Sequence, residues 1–356
     1  MYSLTNIVQV IIIFQGSLLA LFILAYNKPK SRNDFFLALL IGALVLQITG
    51  IFLVNRNIQT NFFNKINSVY LFLYGPLLYL YSKDITFSDF KFKLKDAVHF
   101  LPFILILTTS AFLEERIPQV ILYMAYAIHI LSYILACFWQ LKMYRKVLMD
   151  NYSKLESLNV KWLKWTLILF SLIVIVDGIQ IGSILVFQKL LRLEIIVFIL
   201  ILAVINLLYF SGFNQPKVKR FNTEELELSI SIKSRKRRNT SLIENKTLIN
   251  RLEKYLAETE SYKNPNITIG LLSEEIDIPK RTLSELINDH YDKNFVDFIN
   301  TYRIKEAKVM LMNMVDPNLT ILEVMYEVGF NSKSSFNSTF KKKTNLTPSE
   351  FKSKYK

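Results

Sequence analysis

Long apolar runs separated by short polar segments fill the first 213 residues. The first run, Leu4 to Tyr26, holds 23 residues without a charge. At a helical rise of about 1.5 Å per residue, it is long enough to cross the ~30 Å hydrocarbon core of a bilayer. Six more runs follow: Phe35–Val54, Ile66–Ser82, Ala97–Leu113, Pro118–Leu141, Leu167–Phe187 and Leu193–Phe213. The pattern predicts about seven membrane spans, of which the third and fourth are short and contain Pro76 and Pro102.

Beyond the last run the pattern becomes polar and then amphipathic. Residues 214–245 have no apolar period, and Lys233 to Arg238 contain five basic residues in six. We expect this segment to be a juxtamembrane linker whose charges touch anionic lipid headgroups, although a DNA-phosphate arm is the alternative. From residue 246 apolar residues recur every three or four positions, which predicts soluble helices. The predicted domains are therefore 1–213, 214–245 and 246–356.

Two helix-turn-helix patterns follow in the last domain. In the first, a short helix from Ile267 to Ile276 turns at Asp277, and a second helix runs from Pro279 to about His290. Its predicted core consists of Leu272, Ile276, Leu283, Leu286 and Ile287. A short helix, a tight turn and a second helix with a polar outer face define this motif.

The second pattern uses different turn and cap residues. Thr320 and Ser332 are expected to cap its two helices, Gly329 to make the turn, and Phe336 and Phe340 to form its core. One helix, Phe295–Met312, is predicted between the units. Its 18 residues span about 27 Å, which suits two recognition helices in successive major grooves.

These residues resemble the DNA-binding domain of the AraC/XylS transcription regulators. The resemblance covers about 100 residues: Ile267–Ser284, Asn300–Ile304 with Ala307, Gly329-Phe330, Phe336, Phe340–Lys342 and Leu346–Ser349. Met325 stands where the family usually has a small alanine, and Asp277 and Pro279 replace the usual glycine and polar cap. The resemblance implies two helix-turn-helix units that enter adjacent major grooves, usually together with a separate sensory or dimerising domain.

The resemblance also implies which residues face DNA. In the two recognition helices the base-facing positions would be Lys280, Arg281, Ser284, Glu285, Lys333, Ser334, Asn337 and Ser338. Arginine can pair with guanine, asparagine with adenine, and glutamate can accept from cytosine. We expect Lys341, Lys342 and Lys343 to contact phosphates. Arg303 is expected to brace the linking helix.

Loop charge predicts the orientation of the spans. The first, third and fifth loops hold 13 Lys and Arg residues, and the second, fourth and sixth hold 5. Because basic loops stay in the cytoplasm, the N-terminus should lie outside, and seven spans then place the basic tail inside. The expected localisation is the bacterial cytoplasmic membrane, with the DNA-binding domain in the cytoplasm.

Composition excludes several functional classes. One cysteine, Cys137, cannot form an intrachain disulfide, and we expect neither a cofactor nor a metal site. No H-E-x-x-H, G-x-S-x-G, C-x-x-C or phosphate-loop pattern occurs, so the chain is not expected to be an enzyme. Asp177 lies within the sixth run, where a carboxylate marks either a signal site or a paired group that holds helices together.

The sequence therefore predicts an all-α protein: a polytopic membrane helix bundle followed by a soluble domain with two helix-turn-helix units. The expected function is a membrane-tethered, sequence-specific transcription regulator whose spans sense a small molecule or a membrane signal. The expected partners are double-stranded DNA, the lipid bilayer, the transcription machinery and a second copy of the chain. Two alternatives stay open: a transporter or membrane enzyme with an attached DNA-binding module, or spans that act only as an anchor.

Overall fold

The structure is a computed structural model that describes eleven stretches of the chain. They are residues 4–26, 32–56, 58, 67, 69–112, 118–153, 160–188, 193–213, 221, 242–312 and 319–355. Most of the predicted linker 214–245, including the basic run Lys233–Arg238, lies outside them. Within these stretches the regular elements are all helices, and no strand occurs beyond two isolated bridges.

The described residues divide into two compact units. The first lies within Met1–Lys142 and Val160–Asn222, and the second within Met143–Asn159 and Thr223–Lys356. The helices of the first unit are α1 (Leu4–Tyr26), α2 (Arg32–Asn55), α3 (Leu71–Thr86), α4 (Leu94–Ala97), a 3₁₀ turn (Val98–Phe100), α5 (Leu101–Phe112), the start of α6 (Gln119–Asn151), α7 (Lys161–Phe187) and α8 (Glu194–Phe213).

Apolar packing and a few buried hydrogen bonds join the helices of the first unit. Helix α1 packs against α2 and α8, α2 against α3, and α7 against α8. Gln15 of α1 donates from Nε2 to Asn206 Oδ1 of α8 at 2.9 Å, and the Tyr123 hydroxyl of α6 donates to the Val174 carbonyl of α7 at 2.9 Å. Paired polar groups of this kind fix how helices face one another where apolar contacts alone would leave them free to rotate.

Among the described residues, four helices are long and apolar enough to cross a membrane. These segments are Leu4–Ala25, Phe35–Asn55, Val120–Asn151 and Lys161–Ser183, and Glu194–Phe210 is a shorter apolar helix. The third and fourth predicted runs correspond to α3, with 16 residues and Pro76 inside it, and to α5, with 12 residues. Helices of that length measure about 24 Å and about 18 Å, short of a ~30 Å hydrocarbon core. The count of seven spans stays a prediction.

The first unit also carries large apolar side chains on its surface. Phe14 is 67% exposed, Ile128 71% and Leu135 68%. Many exposed large apolar side chains on several helices are unusual for a protein that meets only water. Helices that are apolar on their outer face as well as in the core are expected where the surroundings are hydrocarbon.

The second unit contains shorter amphipathic helices around one central helix. They are α9 (Leu242–Thr259), a 3₁₀ turn (Ser261–Lys263), α10 (Ile269–Glu275), α11 (Lys280–Tyr291), α12 (Phe295–Met312), α13 (Ile321–Glu327), α14 (Lys333–Thr344) and α15 (Pro348–Lys354). Helix α12 contributes to two apolar cores. Its first half packs with α9, α10 and α11, and its second half with α13, α14 and α15. The predicted helix Phe295–Met312 is present with the same ends.

Candidate nucleic-acid interface

The first helix-turn-helix consists of α10 and α11. Thr268 caps α10, because its hydroxyl accepts a hydrogen bond from the Leu271 amide at 3.2 Å. Asp277 makes the turn with a φ of 49°, a left-handed conformation that short polar side chains tolerate. Pro279 occupies the position before α11 and provides no side-chain cap. The predicted core residues are all buried: Leu272, Ile276, Leu283, Leu286 and Ile287.

The second helix-turn-helix consists of α13 and α14. Thr320 and Glu323 form a reciprocal capping box at the start of α13. The Ser332 hydroxyl accepts from the Ser335 amide at 3.4 Å at the start of α14. Gly329 turns the chain with a φ of 89°, which favours glycine strongly. Phe336 and Phe340 are fully buried, as the sequence predicts, and Met325 is accommodated in the same core.

Arg303 of α12 is buried in the second unit, where it contacts the segment before the first motif and the turn of the second motif. Its Nε donates to the Tyr262 carbonyl at 2.7 Å, and its Nη2 donates to the Asn264 carbonyl at 2.9 Å. The guanidinium also lies 5.5 Å from the centre of the Phe330 ring. Burial lowers the pKa of Arg303 to about 10, so the group stays charged at neutral pH. The side chain thus braces α12, as the sequence predicts, and does not reach the surface.

Most of the predicted DNA-facing residues lie on the surfaces of α11 and α14. Arg281, Lys333, Ser334, Ser338, Lys341 and Lys342 are exposed, and Lys280, Glu285 and Asn337 are partly exposed. Ser284 is only 5% exposed, so its assignment as a base contact has the least geometric support. The structure therefore collects four predicted residues on α11 and seven on α14, each set on one short helix.

Arg281 and Glu285 hold each other on α11. The Arg281 Nε donates to the Glu285 Oε1 at 3.1 Å, and their side chains are 43% and 36% exposed. An exposed pair at this spacing contributes about 0–1 kcal/mol, so a base edge or a phosphate can replace either partner at small cost. The pair also explains how a carboxylate could be tolerated on a helix that is predicted to face DNA.

Lys343, the third predicted phosphate contact, forms a hydrogen bond with the linking helix. The Lys343 Nζ donates to the Thr301 hydroxyl of α12 at 3.0 Å. Partial desolvation and the nearby Lys293 and Lys342 lower the pKa of Lys343. All three lysines are exposed, and Lys343 is the one that already bonds to α12, so its prediction as a phosphate contact has the least geometric support.

Residues just beyond α6 pair with the start of the first motif. Tyr152 forms an isolated antiparallel bridge with Thr268. The Ser153 hydroxyl donates to the Ile267 carbonyl at 2.9 Å and accepts from the Arg303 Nη2 at 3.4 Å. The sequence gives no signal for this pairing, because a Tyr-Ser dipeptide in a polar loop has neither periodicity nor a motif.

Asp177, the predicted intramembrane site, belongs to the first unit. It lies on α7 and lines a cavity of about 250 Å³ formed by α2, α3, α6, α7 and α8. No group of three His, Cys, Asp or Glu residues in the described stretches could hold a metal ion.

Comparison with known proteins places the similarity in the second unit. Residues 272–354 match the family model described as a helix-turn-helix domain. An uncharacterized HTH-type transcriptional regulator in the cgkA 5' region of Pseudoalteromonas carrageenovora is 31% identical over 87 residues, which cover 24% of this chain and 49% of that protein.

Two other relatives match the same proportion of the chain. The transcriptional regulatory protein HptR of Staphylococcus aureus is 27% identical over 92 residues, 26% of this chain and 34% of that protein. Histidine kinase P4 of Formosa agariphila is 28% identical over 96 residues, 27% of this chain but 7% of that protein. The chain thus spans less than half of the length of these relatives.

No solved structure matches the chain. The family match covers both motifs, from the core of α10 to the end of α15, and two of the three relatives carry the name of a transcription regulator. Residues 272–354 form an AraC-type helix-turn-helix domain of the kind found in transcription regulators.

Proposed function

We propose that the protein is a membrane-tethered, sequence-specific regulator of transcription whose membrane domain senses a signal. The observation that carries the proposal is the pair of surface helices α11 and α14, each with predicted DNA-facing residues, held by the single helix α12. Two motifs on one rigid helix of about 27 Å suit successive major grooves on one face of DNA.

The apolar helices of the first unit support the membrane tether. Their length, their apolar outer surfaces and the excess of basic residues in alternate loops favour a multi-pass protein of the bacterial cytoplasmic membrane. In this proposal about seven spans place the N-terminus outside and the DNA-binding domain in the cytoplasm. Its partners are double-stranded DNA, the lipid bilayer and the transcription machinery.

Regulation requires that a signal favour one of two arrangements of the protein. We infer that the arrangement is a homodimer of the membrane domain, since two tethered DNA-binding domains gain effective concentration on paired sites. Replacing residues 1–213 with an unrelated anchor removes the proposed sensing spans and should abolish signal-dependent regulation. Unchanged regulation would show that the spans only anchor the domain.

Substitution of Arg281 tests the assignment of the DNA-binding surface. Binding sites are first mapped across the genome with the full-length protein, and affinity is then measured on one mapped site and on a scrambled sequence. Arg281→Ala should weaken specific binding by about 1–3 kcal/mol, because a lost bidentate base contact has that magnitude. Binding to the scrambled sequence should change much less.

Lys254 offers a matched control. It lies on α9, outside both motifs, and forms the same kind of ion pair, with Glu258 four residues on at 3.7 Å. Lys254→Ala should leave specific binding unchanged. Equal effects of the two substitutions, or no effect of Arg281→Ala, would contradict the proposed surface.

A transporter with an attached DNA-binding module is the second candidate, and the cavity at Asp177 favours it. Uptake by cells that carry Asp177→Asn distinguishes the two functions. Lost uptake of a solute with intact DNA binding would support the transporter.

A further inference from the structure

The cavity beside Asp177 contains polar groups that lack partners within the described protein. Asp177 forms no hydrogen bond or ion pair with the side chains that the structure describes. The hydroxyl of Tyr126, a residue only 2% exposed, likewise has no hydrogen bond to a described residue. Both residues line the cavity, so their polar atoms are available to a ligand there.

Three neighbouring polar side chains of the lining, Tyr74, Gln47 and Gln180, already have partners. The Tyr74 hydroxyl donates to the Gln47 Oε1, and the Gln180 Oε1 accepts from the Leu193 amide at 3.3 Å. These bonds fix one side of the cavity and leave Asp177 and Tyr126 to contact an occupant. The geometry is that of a preformed site in which a few polar groups orient a ligand against apolar walls.

The charge and the walls of the cavity specify the class of ligand. The described lining includes Asp177 and Glu194 but no lysine, arginine or histidine. A carboxylate within a membrane helix is costly unless a positive charge accompanies it. Tyr74, Tyr126 and Phe170 add aromatic faces, which attract cations. We propose that this cavity binds a small organic ammonium ion, whose charge meets Asp177 and whose apolar part meets the aromatic walls.

The position of the cavity indicates the side from which the ligand enters. It is lined by the second half of α2, by Asp177 and Gln180 in the second half of α7, and by the first halves of α3, α6 and α8. Those helix ends adjoin the loops that are poor in basic residues and that charge counting places outside. With the topology of the proposed function, on which this step rests, the site takes its ammonium ion from the external solution. Its volume of about 250 Å³ lies below the ~300–1,000 Å³ of sites for drug-sized ligands, so the ligand is small.

Thermal unfolding of the full-length protein in nanodiscs tests the site. The probes are methylammonium, choline and phenethylammonium, and 2-phenylethanol is the neutral counterpart of the last. A ligand that binds the folded state raises the unfolding temperature in a saturable way. At least one ammonium ion should do so, and the alcohol should not. No stabilisation by any of the three cations, or equal stabilisation by the alcohol, would overturn the proposal.

Variants of the cavity make the test specific. Asp177→Asn should weaken binding by about 30-fold or more, as expected when a buried charge loses its partner. Tyr126→Phe, which keeps the apolar packing, should weaken it about fivefold through one lost hydrogen bond. Ser171→Ala is the control on the same helix, because the Ser171 hydroxyl bonds within α7 to the Leu167 carbonyl at 2.9 Å. Unchanged affinity in both cavity variants would overturn the site.

The same preparation is assayed on a mapped DNA site, which separates the two proposals. Specific DNA binding without ammonium binding overturns the cavity proposal alone. Ammonium binding without specific DNA binding overturns the proposed regulator and leaves the cavity site in place.

Discussion

The two helix-turn-helix units share one backbone plan but differ in charge. Helix α11 carries Lys280 and Arg281 together with Glu285 and Asp289, so its formal charges cancel with histidine neutral. Helix α14 carries four lysines and no carboxylate. Because phosphate contacts supply affinity without reading sequence, α14 is suited to grip the backbone of DNA. Helix α11, whose arginine is held by its own carboxylate, is suited to discriminate between bases.

The turns of the two units differ in how tightly they are packed. Asp277 turns the first motif at a site where its side chain is 94% exposed. Gly329 turns the second motif against the backbone of Lys263, where an added Cβ would overlap the Lys263 carbonyl. The second turn is therefore packed against the 3₁₀ segment that Arg303 also holds, whereas the first turn is open. The second motif thus depends more on its turn residue.

Gly329→Ala should produce the largest difference in stability between the two motifs. A left-handed conformation costs a non-glycine residue about 1–2 kcal/mol, and the displaced Lys263 backbone adds an overpacking cost of about 1–3 kcal/mol. We expect the second motif to lose about 3 kcal/mol of stability in total. Hydrogen exchange of the α14 amides in the full-length protein measures the loss, and α11 should be affected less.

Gly270→Ala is the matched control in the first motif. Gly270 lies within α10, and the nearest atom to an added Cβ there is the Thr268 hydroxyl at 3.7 Å. Alanine favours a helix interior over glycine by about 1 kcal/mol, so this variant should be as stable as the parent or more stable. Similar losses at Gly270 and Gly329 would contradict the distinction between the motifs.

The salt dependence of DNA binding tests whether α14 mainly contacts phosphates while α11 mainly reads bases. The double variant Lys341→Gln with Lys342→Gln should reduce the slope of log affinity against log salt by about 2, because each phosphate contact contributes about 0.9. Specific and nonspecific sites should be affected alike. The measurement is a titration of both DNA sequences at several salt concentrations.

The matched change in the first motif removes one cation and one anion. Arg281→Gln with Glu285→Gln leaves the net charge of α11 unchanged, so the salt slope should stay nearly constant while the preference for the specific site falls. If this variant altered the salt slope as much as the lysine variant did, the proposal that α14 contacts phosphates and α11 reads bases would be wrong.

The sequence predicted the elements of the second unit well, because their signals are local. Asp277, Gly329 and the caps Thr320 and Ser332 act on backbone atoms within a few residues, and each is found in the predicted role. The burial of Ser284 was not predicted, because the rotation of α11 depends on packing against α12.

Contacts between distant residues could not be read from the sequence. Ser153 and Arg303 are 150 positions apart, and a serine hydroxyl leaves no periodic pattern. The cavity at Asp177 likewise draws on five helices, so the aspartate was visible in the sequence but its surroundings were not. The number of spans depends on short helices with proline, where length and composition do not decide.

The smallest predicted difference between the motifs is in the stability of their helices at low pH. Glu323 and Glu350 accept from the Thr320 and Thr347 amides at 2.7 Å, and these bonds hold the pKa of both carboxyls below 4.5. Because the folded-state pKa of each carboxyl is lowered, the ionised carboxylates stabilise the helices fully above about pH 4.5. This stabilisation is lost as the pH falls through the lower, folded-state pKa. Thr268 caps the first motif without a carboxylate partner, so α13 and α15 should open in acid before α10.

Amide exchange of the three helices between pH 6 and about 3.5 measures the order in which they open. Glu323→Gln with Glu350→Gln should remove the difference, and an unchanged order in that variant would show that other carboxylates set it.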